Sequence, residues 1–409
     1  MSPPRVLEYN PYAFALHEDP YEIYRRLRDE QPAYWNPDLQ FWALSRFEDV
    51  HAGFRDSVPY SSANGIALEA RRQKSALPMM ITLDPPEHTV MRKLVSRVFT
   101  PRGVADMETE ARQIVNTYVD RVAETGECDI VTDLTGPFPM DVISAVLGVP
   151  ESDRPMLRTH ADRILVREDG SMKIPPDALE GFAALLGYFA DELPRRREGG
   201  GSGLVTDLAR IEVDGRRLTD DEVLGFCLLF IIAGHETTTK MVANAIELLS
   251  RHPDERAKLI ADPARVADCV EEVLRFHNST QYMHRTLTRD VELHGATMHA
   301  GDSVLLLIGS ANRDEREFGP TAATFDISRP PGRHIAFGYG PHFCLGAGLA
   351  RMEGRVALEE IHRRIPDYEV DHERKVRFHS GNVTGWTQLP VRFTPTGTPP
   401  GVVERRTGG

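Results

Sequence analysis

Cysteine is scarce in this chain. The four residues present, Cys128, Cys227, Cys269 and Cys344, are too few for a disulfide framework, and no two have the close spacing of a zinc site. A reducing cytoplasm is therefore the expected compartment. Long apolar runs are lacking too: the most apolar stretch, residues 223–234, falls well short of the roughly 20 residues a membrane-crossing helix needs. It reads as a buried core helix, and no membrane association is expected. The start, MSPPRVLEYN, shows no basic segment followed by an apolar one, so no secretion signal is expected. Positive charge is in deficit, with 48 Lys and Arg against 61 Asp and Glu and a net charge of −13. That balance argues against nucleic acid as a partner, because phosphate contacts need a basic face. No internal repeat is present to suggest a solenoid.

What is present is a hydrophobic content of 41%, enough for a sizeable core. Apolar residues recur at helical spacing over 21–30, 103–124 and 177–197. Short strand-like pieces interrupt them at 41–44, 291–293, 303–307 and 389–393. The expected class is mainly α with a smaller β region, one domain over residues 1–409 with loose termini at 1–18 and 395–409. Glu198-Gly-Gly-Gly-Ser-Gly203 reads as a flexible connector between two helices. The longest helix should begin at Thr219-Asp-Asp-Glu222, which has the capping-box spacing, and run to about Arg251. Its middle, residues 224–233, is apolar on every face, which places it at the centre of the domain.

Two segments carry chemistry. In Phe337-Gly-Tyr-Gly-Pro-His-Phe-Cys344-Leu-Gly346 a cysteine sits in a loop rich in glycine and proline, just before a helix-like stretch. Glycines let backbone approach a flat cofactor closely, and a helix start stabilises negative charge on sulfur. The plain alternative is a small buried hydrophobe. A phosphate-cradling loop is a poor match, since Gly338, Gly340 and Gly346 lack the dinucleotide spacing and no lysine-serine pair follows.

The second segment, Ala233-Gly-His-Glu-Thr-Thr-Thr239, puts a glycine, charge and β-branched residues where plain helix formers belong. Its plain reading is threonines bonding back to carbonyls one turn earlier. A zinc-protease reading fails because the second histidine it needs would fall at 239, which is threonine.

The cysteine segment resembles the haem-binding signature of the cytochromes P-450, Phe-Gly-x-Gly-x-His/Arg-x-Cys-x-Gly, matching at Phe337, Gly338, Gly340, His342, Cys344 and Gly346. The second segment is similar to that family's distal helix. The likeness extends from Asp19-Pro-Tyr to Leu389-Pro-Val. It implies haem b with Cys344 as the metal ligand, a site where iron-bound thiolate favours O–O cleavage. Ala233 and Gly234 would leave space for O2, with Glu236 and Thr237 as the acid-alcohol pair that supplies protons. His88, Arg92, Arg285 and His342 would reach the haem propionates, and Glu272 with Arg275 would clamp the cysteine-side core.

The implied reaction inserts one oxygen atom into an apolar small molecule, by hydroxylation or epoxidation. Terpenoids, steroids, fatty acids and polyketides are the candidate substrates. The pocket is expected to draw on residues 64–68, Met79, Met80, Phe230, Ala233, residues 281–283 and residues 383–386, under a lid at 163–177. Neither a flavin nor a nicotinamide fingerprint is visible, so electrons from NAD(P)H should arrive through a ferredoxin or flavodoxin and its reductase. A basic patch of Arg92, Lys93, Arg97, Arg102, Arg351 and Arg355 would receive that carrier. A peroxide-driven oxygenase and a haem-thiolate sensor are the rival readings, and the Glu236–Thr237 pair argues against both.

Overall fold

The computed structural model describes residues 7–72, 77–96, 99–213, 215–330 and 332–395. Helical periodicity becomes helix at Tyr21–Glu30, Pro101–Val122 and Pro176–Arg197. The second of these is capped by Thr100, whose hydroxyl accepts the Gly103 N–H at 3.1 Å, with proline in the first turn.

The central helix, Asp220–Arg251, carries the expected capping box. The Thr219 N–H donates to Glu222 Oε2 at 2.9 Å and the Glu222 N–H to Thr219 Oγ1 at 3.3 Å. At about 1.5 Å per residue this helix is about 48 Å long and crosses the whole molecule. Its first half, through Val223, Phe226 and Phe230, joins a core with Ile143, Leu185 and Phe189. Its second half, through Met241, Ile246 and Leu249, joins another with Val115, Val273, Val356 and Ile361. Residues between the halves are left to line a cavity.

Beside the helices lies a five-stranded sheet in the order Ala33–Asn36, Phe41–Leu44, Ser303–Leu306, Met283–Leu287, Tyr60–Ser61. Its contacts are antiparallel except that Ser303–Leu306 runs parallel to Phe41–Leu44, with Val304 opposite Trp42. Val304 also faces Arg285, and this register carries that arginine into the interior. A smaller sheet pairs Tyr368–Val370, Pro390–Phe393 and Glu127–Asp129.

The loose start expected over 1–18 is corrected by residues 7–18. Tyr9 and Tyr12 are completely buried, among Tyr24, Phe41 and Tyr282, and Phe14–Glu18 is a short helix. Aromatic side chains in that stretch have enough apolar area to hold it down. Of the expected loose end, Pro395 is described and residues 396–409 lie outside the described residues. The segment expected as a lid joins helices Arg154–Ile164 and Pro176–Arg197. It is pinned rather than open: Arg167 is buried, its N–H donates to the His379 carbonyl at 2.9 Å, and the Gly170 N–H donates to the Tyr12 carbonyl at 2.9 Å.

Candidate active site

The cysteine loop owes its shape to two glycines. Gly338 and Gly340 have φ of +67° and +69°, a region side chains avoid, and a Cβ on Gly340 would stand 2.7 Å from the Phe54 carbonyl oxygen. The Cys344 N–H donates to the Phe337 carbonyl at 2.9 Å and closes the loop, and the helix Ala347–Arg364 begins three residues later. Cys344 opens into a cavity of about 220 Å³ and is accessible to that space. Burial pushes its thiol pKa up. The Gly346 N–H and the charges of Arg92 and Arg351 oppose that rise.

The central helix contributes Ala233, Gly234, Thr237 and Thr238 to the cavity wall. Gly234 packs against Ile143, where an added Cβ would meet Cγ1 at 3.1 Å. Thr237 Oγ1 donates to the Ala233 carbonyl at 2.7 Å, the back-bond anticipated for a threonine inside a helix. Phe337, Gly338 and Gly346 line the same space.

His88, Arg92, Arg285 and His342 all reach this cavity. They come from four separate segments. The rings of His88 and His342 lie 4.1 Å apart, and His88 Nε2 is buried with no hydrogen-bond partner among the described residues. Burial holds His88 and Arg92 below their ordinary values, and pulls Arg285 down to about 10 and His342 to about 3. Arg285 donates to the His284 carbonyl at 2.8 Å. Two arginine charges facing one interior space are electrostatically unfavourable without an anion between them.

Glu236 is the sequence-predicted residue that does not face the cavity. It is buried on the adjoining face of the helix, with Oε1 3.1 Å from Lys240 Nζ, and Lys240 in turn donates to the Trp386 carbonyl at 2.9 Å. A different carboxyl does line the cavity. Glu353 is buried beside Thr238, and burial drives its pKa well above the usual range. Sequence reasoning missed it, although a signal was there: position 353 falls on the apolar stripe of Leu349, Met352 and Val356, where a carboxylate is out of place.

Glu272 and Arg275 form a buried two-point pair, with Nε–Oε2 and Nη2–Oε1 both 2.8 Å. Arg275 also donates to the Asn312, Ala322 and Thr324 carbonyls. Of the expected pocket residues, Ile66, Met80, Phe230, Ala233 and Met283 line the cavity. Met79, Gln281, Tyr282 and residues 383–386 do not, the last of these entering the strand Thr384–Gln388 instead of a turn. Trp386 instead packs in the core with Lys375 and Arg377 over its ring at 4.3 and 3.8 Å. Phe54 and Ile308 take part in their place.

The expected basic patch is also corrected. Arg92 belongs to the cavity wall, Arg351 is paired with Glu271 at 2.6 Å, and Arg355 is paired with Glu108 and Glu359. Lys93 and Arg102 are exposed, and Arg97 lies outside the described residues.

No helix among the described residues is long and apolar enough to cross a membrane. The sequence model of the family described as Cytochrome P450 matches residues 204–377. The protein named cytochrome P450 123 of Mycobacterium tuberculosis is 44% identical over 94% of this chain and 96% of its own length. The steroid C26-monooxygenase of the same organism is 37% identical over 91% and 93%. The structure of CYP109E1 from Bacillus megaterium in complex with testosterone superposes with a TM-score of 0.87 at 30% identity, covering 93% of this chain and 99% of that one. Fold, cavity and relatives together define an oxidoreductase of the monooxygenase class. The chain belongs to the cytochrome P450 family.

Proposed function

We propose that this enzyme oxygenates an apolar small molecule held beside haem b, whose iron the Cys344 thiolate would bind. The observation that carries the reading is one cavity that joins a cysteine at a helix start to His88, Arg92, Arg285 and His342 and to an apolar wall. The residues fit the group. The haem's two carboxylates would answer the unpartnered His88 Nε2 and the charges of Arg92 and Arg285. A Cβ on Gly346 would meet no protein atom within 4 Å, so the loop beside the sulfur leaves open space.

Bound haem supplies the iron that activates O2 with electrons delivered from outside. The chain's own residues do the rest. Gly346 N–H, Arg92 and Arg351 favour the anionic form of Cys344. Ala233 and Gly234 keep the central helix thin where O2 would lie. Thr237 presents its hydroxyl at the cavity wall, where it positions a proton donor, and Glu236 is the acid behind it. Phe230, Leu229, Met80, Ile66 and Met283 exclude water from the substrate.

The named activity of the mycobacterial steroid C26-monooxygenase, and the testosterone in the Bacillus megaterium complex, support a steroid-sized substrate. Electrons come from NAD(P)H through a ferredoxin or flavodoxin and its reductase, in keeping with the absence of any flavin or nicotinamide fingerprint in the sequence.

The test is the absorption spectrum of the dithionite-reduced protein with carbon monoxide, beside that of Cys344→Ala. The strongly red-shifted Soret band of a thiolate complex is expected in the first and not in the second. A histidine-type spectrum unchanged in the variant would refute the assignment.

A further inference from the structure

We propose that Asp162 and His235 form the outer end of a proton path that runs from solvent to Glu236. The proposal rests on the oxygenase reading above and adds two residues to it. His235 is fully buried, and its Nε2 stands 2.7 Å from Asp162 Oδ1 and 3.5 Å from Glu236 Oε2. The two carboxylates differ sharply in access to water: the Asp162 side chain is 46% exposed and that of Glu236 3%. A single nitrogen thus stands between a carboxylate in contact with solvent and one sealed in the interior.

The surrounding charges fit this use. Asp162 faces Arg158, 3.6 Å away on its own helix Arg154–Ile164, and Glu236 faces Lys240 at 3.1 Å. Thr239 Oγ1 lies 3.4 Å from His235 Nδ1. Each carboxylate already has its own cation, so the cluster needs no metal ion for neutrality. Neither oxygen of Glu236 has a well-aligned hydrogen bond, so electrostatic attraction alone ties it to Lys240. Burial favours a neutral Asp162, but the bond to His235 and the nearby cations outweigh it and hold this carboxyl below its ordinary value. Asp162 therefore passes protons on and does not store them.

The transfer balances in two steps. A proton that hydronium gives to Asp162, leaving water, passes to His235 Nε2, breaking an O–H bond and forming an N–H bond. The imidazolium then releases that proton to Glu236 Oε2 and returns to its neutral form. One proton has moved inward with no change in oxidation state. Neutral Glu236 loses its hold on Lys240, which frees the carboxyl to turn toward Thr237, the next residue along the helix and part of the cavity wall.

The experiment uses the haem-loaded protein with testosterone as probe, a surrogate ferredoxin and its reductase, and compares wild type with Asp162→Asn, His235→Gln and Asp162→Glu. NADH consumption is followed in H2O and D2O across neutral pH. NMR of nitrogen-labelled histidine in the reduced carbon monoxide form reads the protonation of His235 without turnover. Asp162→Asn and His235→Gln are expected to slow consumption about tenfold and to enlarge the solvent isotope effect. Asp162→Glu should restore both, and the His235 nitrogen shifts should move in Asp162→Asn. A rate, isotope effect and pH profile in Asp162→Asn equal to wild type would overturn the path. Because Asp162 is partly exposed, that variant decides the matter even if His235→Gln fails to fold. Absence of the thiolate band in the wild type would instead remove the reading on which the path rests.

Discussion

Glu69 and Arg167 are bound to each other in the interior, Oε1 to Nη2 at 2.6 Å, although 98 residues separate them. Their side chains are only 4% and 7% exposed. Tyr12 adds a third member by donating its hydroxyl to Glu69 Oε2 at 2.6 Å. Tyr12 near the start, the segment after Gly65 and the connection between helices Arg154–Ile164 and Pro176–Arg197 are thus held at one point. Breaking a buried pair by removing one partner costs roughly 3–5 kcal/mol. Glu69→Ala should therefore loosen the 165–175 connection. Stopped-flow measurement of testosterone association and dissociation is expected to show both rates rising at least several-fold, with protease cleavage appearing within 165–175. Unchanged rates would show that ligands reach the cavity elsewhere.

Arg285 owes its position to strand register, and its charge is held in the interior with its pKa pulled down to about 10 by burial. If haem carboxylates answer that charge, Arg285→Ala removes a charge-assisted bond of about 1.5–3 kcal/mol. Transfer of haem to an acceptor protein should then quicken by about tenfold or more. A transfer rate equal to wild type would assign the arginine to the sheet alone.

Thr237 has its hydroxyl engaged with the Ala233 carbonyl while it lines the cavity. Thr237→Ala should keep the red-shifted carbon monoxide band and continue to consume NADH, with the electrons recovered as hydrogen peroxide. Product should fall by at least about tenfold. The ratio of peroxide to NADH consumed is the measurement, and a ratio unaltered from wild type would count against the hydroxyl's role.

Acid stability follows from two buried histidines, His284 and His362. His284 is bonded through Nδ1 to the Gly65 carbonyl and through Nε2 to Ser303, and burial takes its pKa to about 4. His362 is bonded through Nδ1 to the Leu358 carbonyl, and burial likewise takes it to about 4. In the unfolded chain both return to about 6.5. Between those values the unfolded state takes up protons that the folded state refuses. Stability is then fully present above about pH 6.5 and falls as pH drops toward 4, by up to roughly 3 kcal/mol for each residue. Denaturant midpoints should decline over that window, and less steeply in His362→Gln.

Much of this architecture was legible because it depends on local chemistry. The capping box at Thr219 and Glu222 and the strands at 41–44 and 291–293 lie where the pattern put them. The site was legible where a motif carried it, as for Cys344 and its glycines, or where a charged residue recurred at a recognisable spacing, as for Glu272 and Arg275. Orientation was not legible. Glu236 and Thr237 are neighbours on one helix, yet the roughly 100° turn between successive residues sends one to the cavity and the other to Lys240. Long-range pairing was equally hidden. No spacing in the sequence connects Arg351 to Glu271, or Arg355 to Glu108, and those contacts dismantle the expected patch. The buried start was missed because Tyr9 and Tyr12 stand in a stretch with prolines and no periodicity.

The burial of those two tyrosines bears on how the enzyme can be handled. Shortening the chain past residue 8 would remove Tyr9 from its aromatic cluster, and a cut beyond residue 12 would take the Glu69 hydroxyl partner as well. Trimmed versions would emerge leaky, exchanging ligand and losing haem faster than the full chain. Extensions added ahead of residue 7 leave that anchor in place, so affinity tags, reductase fusions and surface tethers belong on the outside of it.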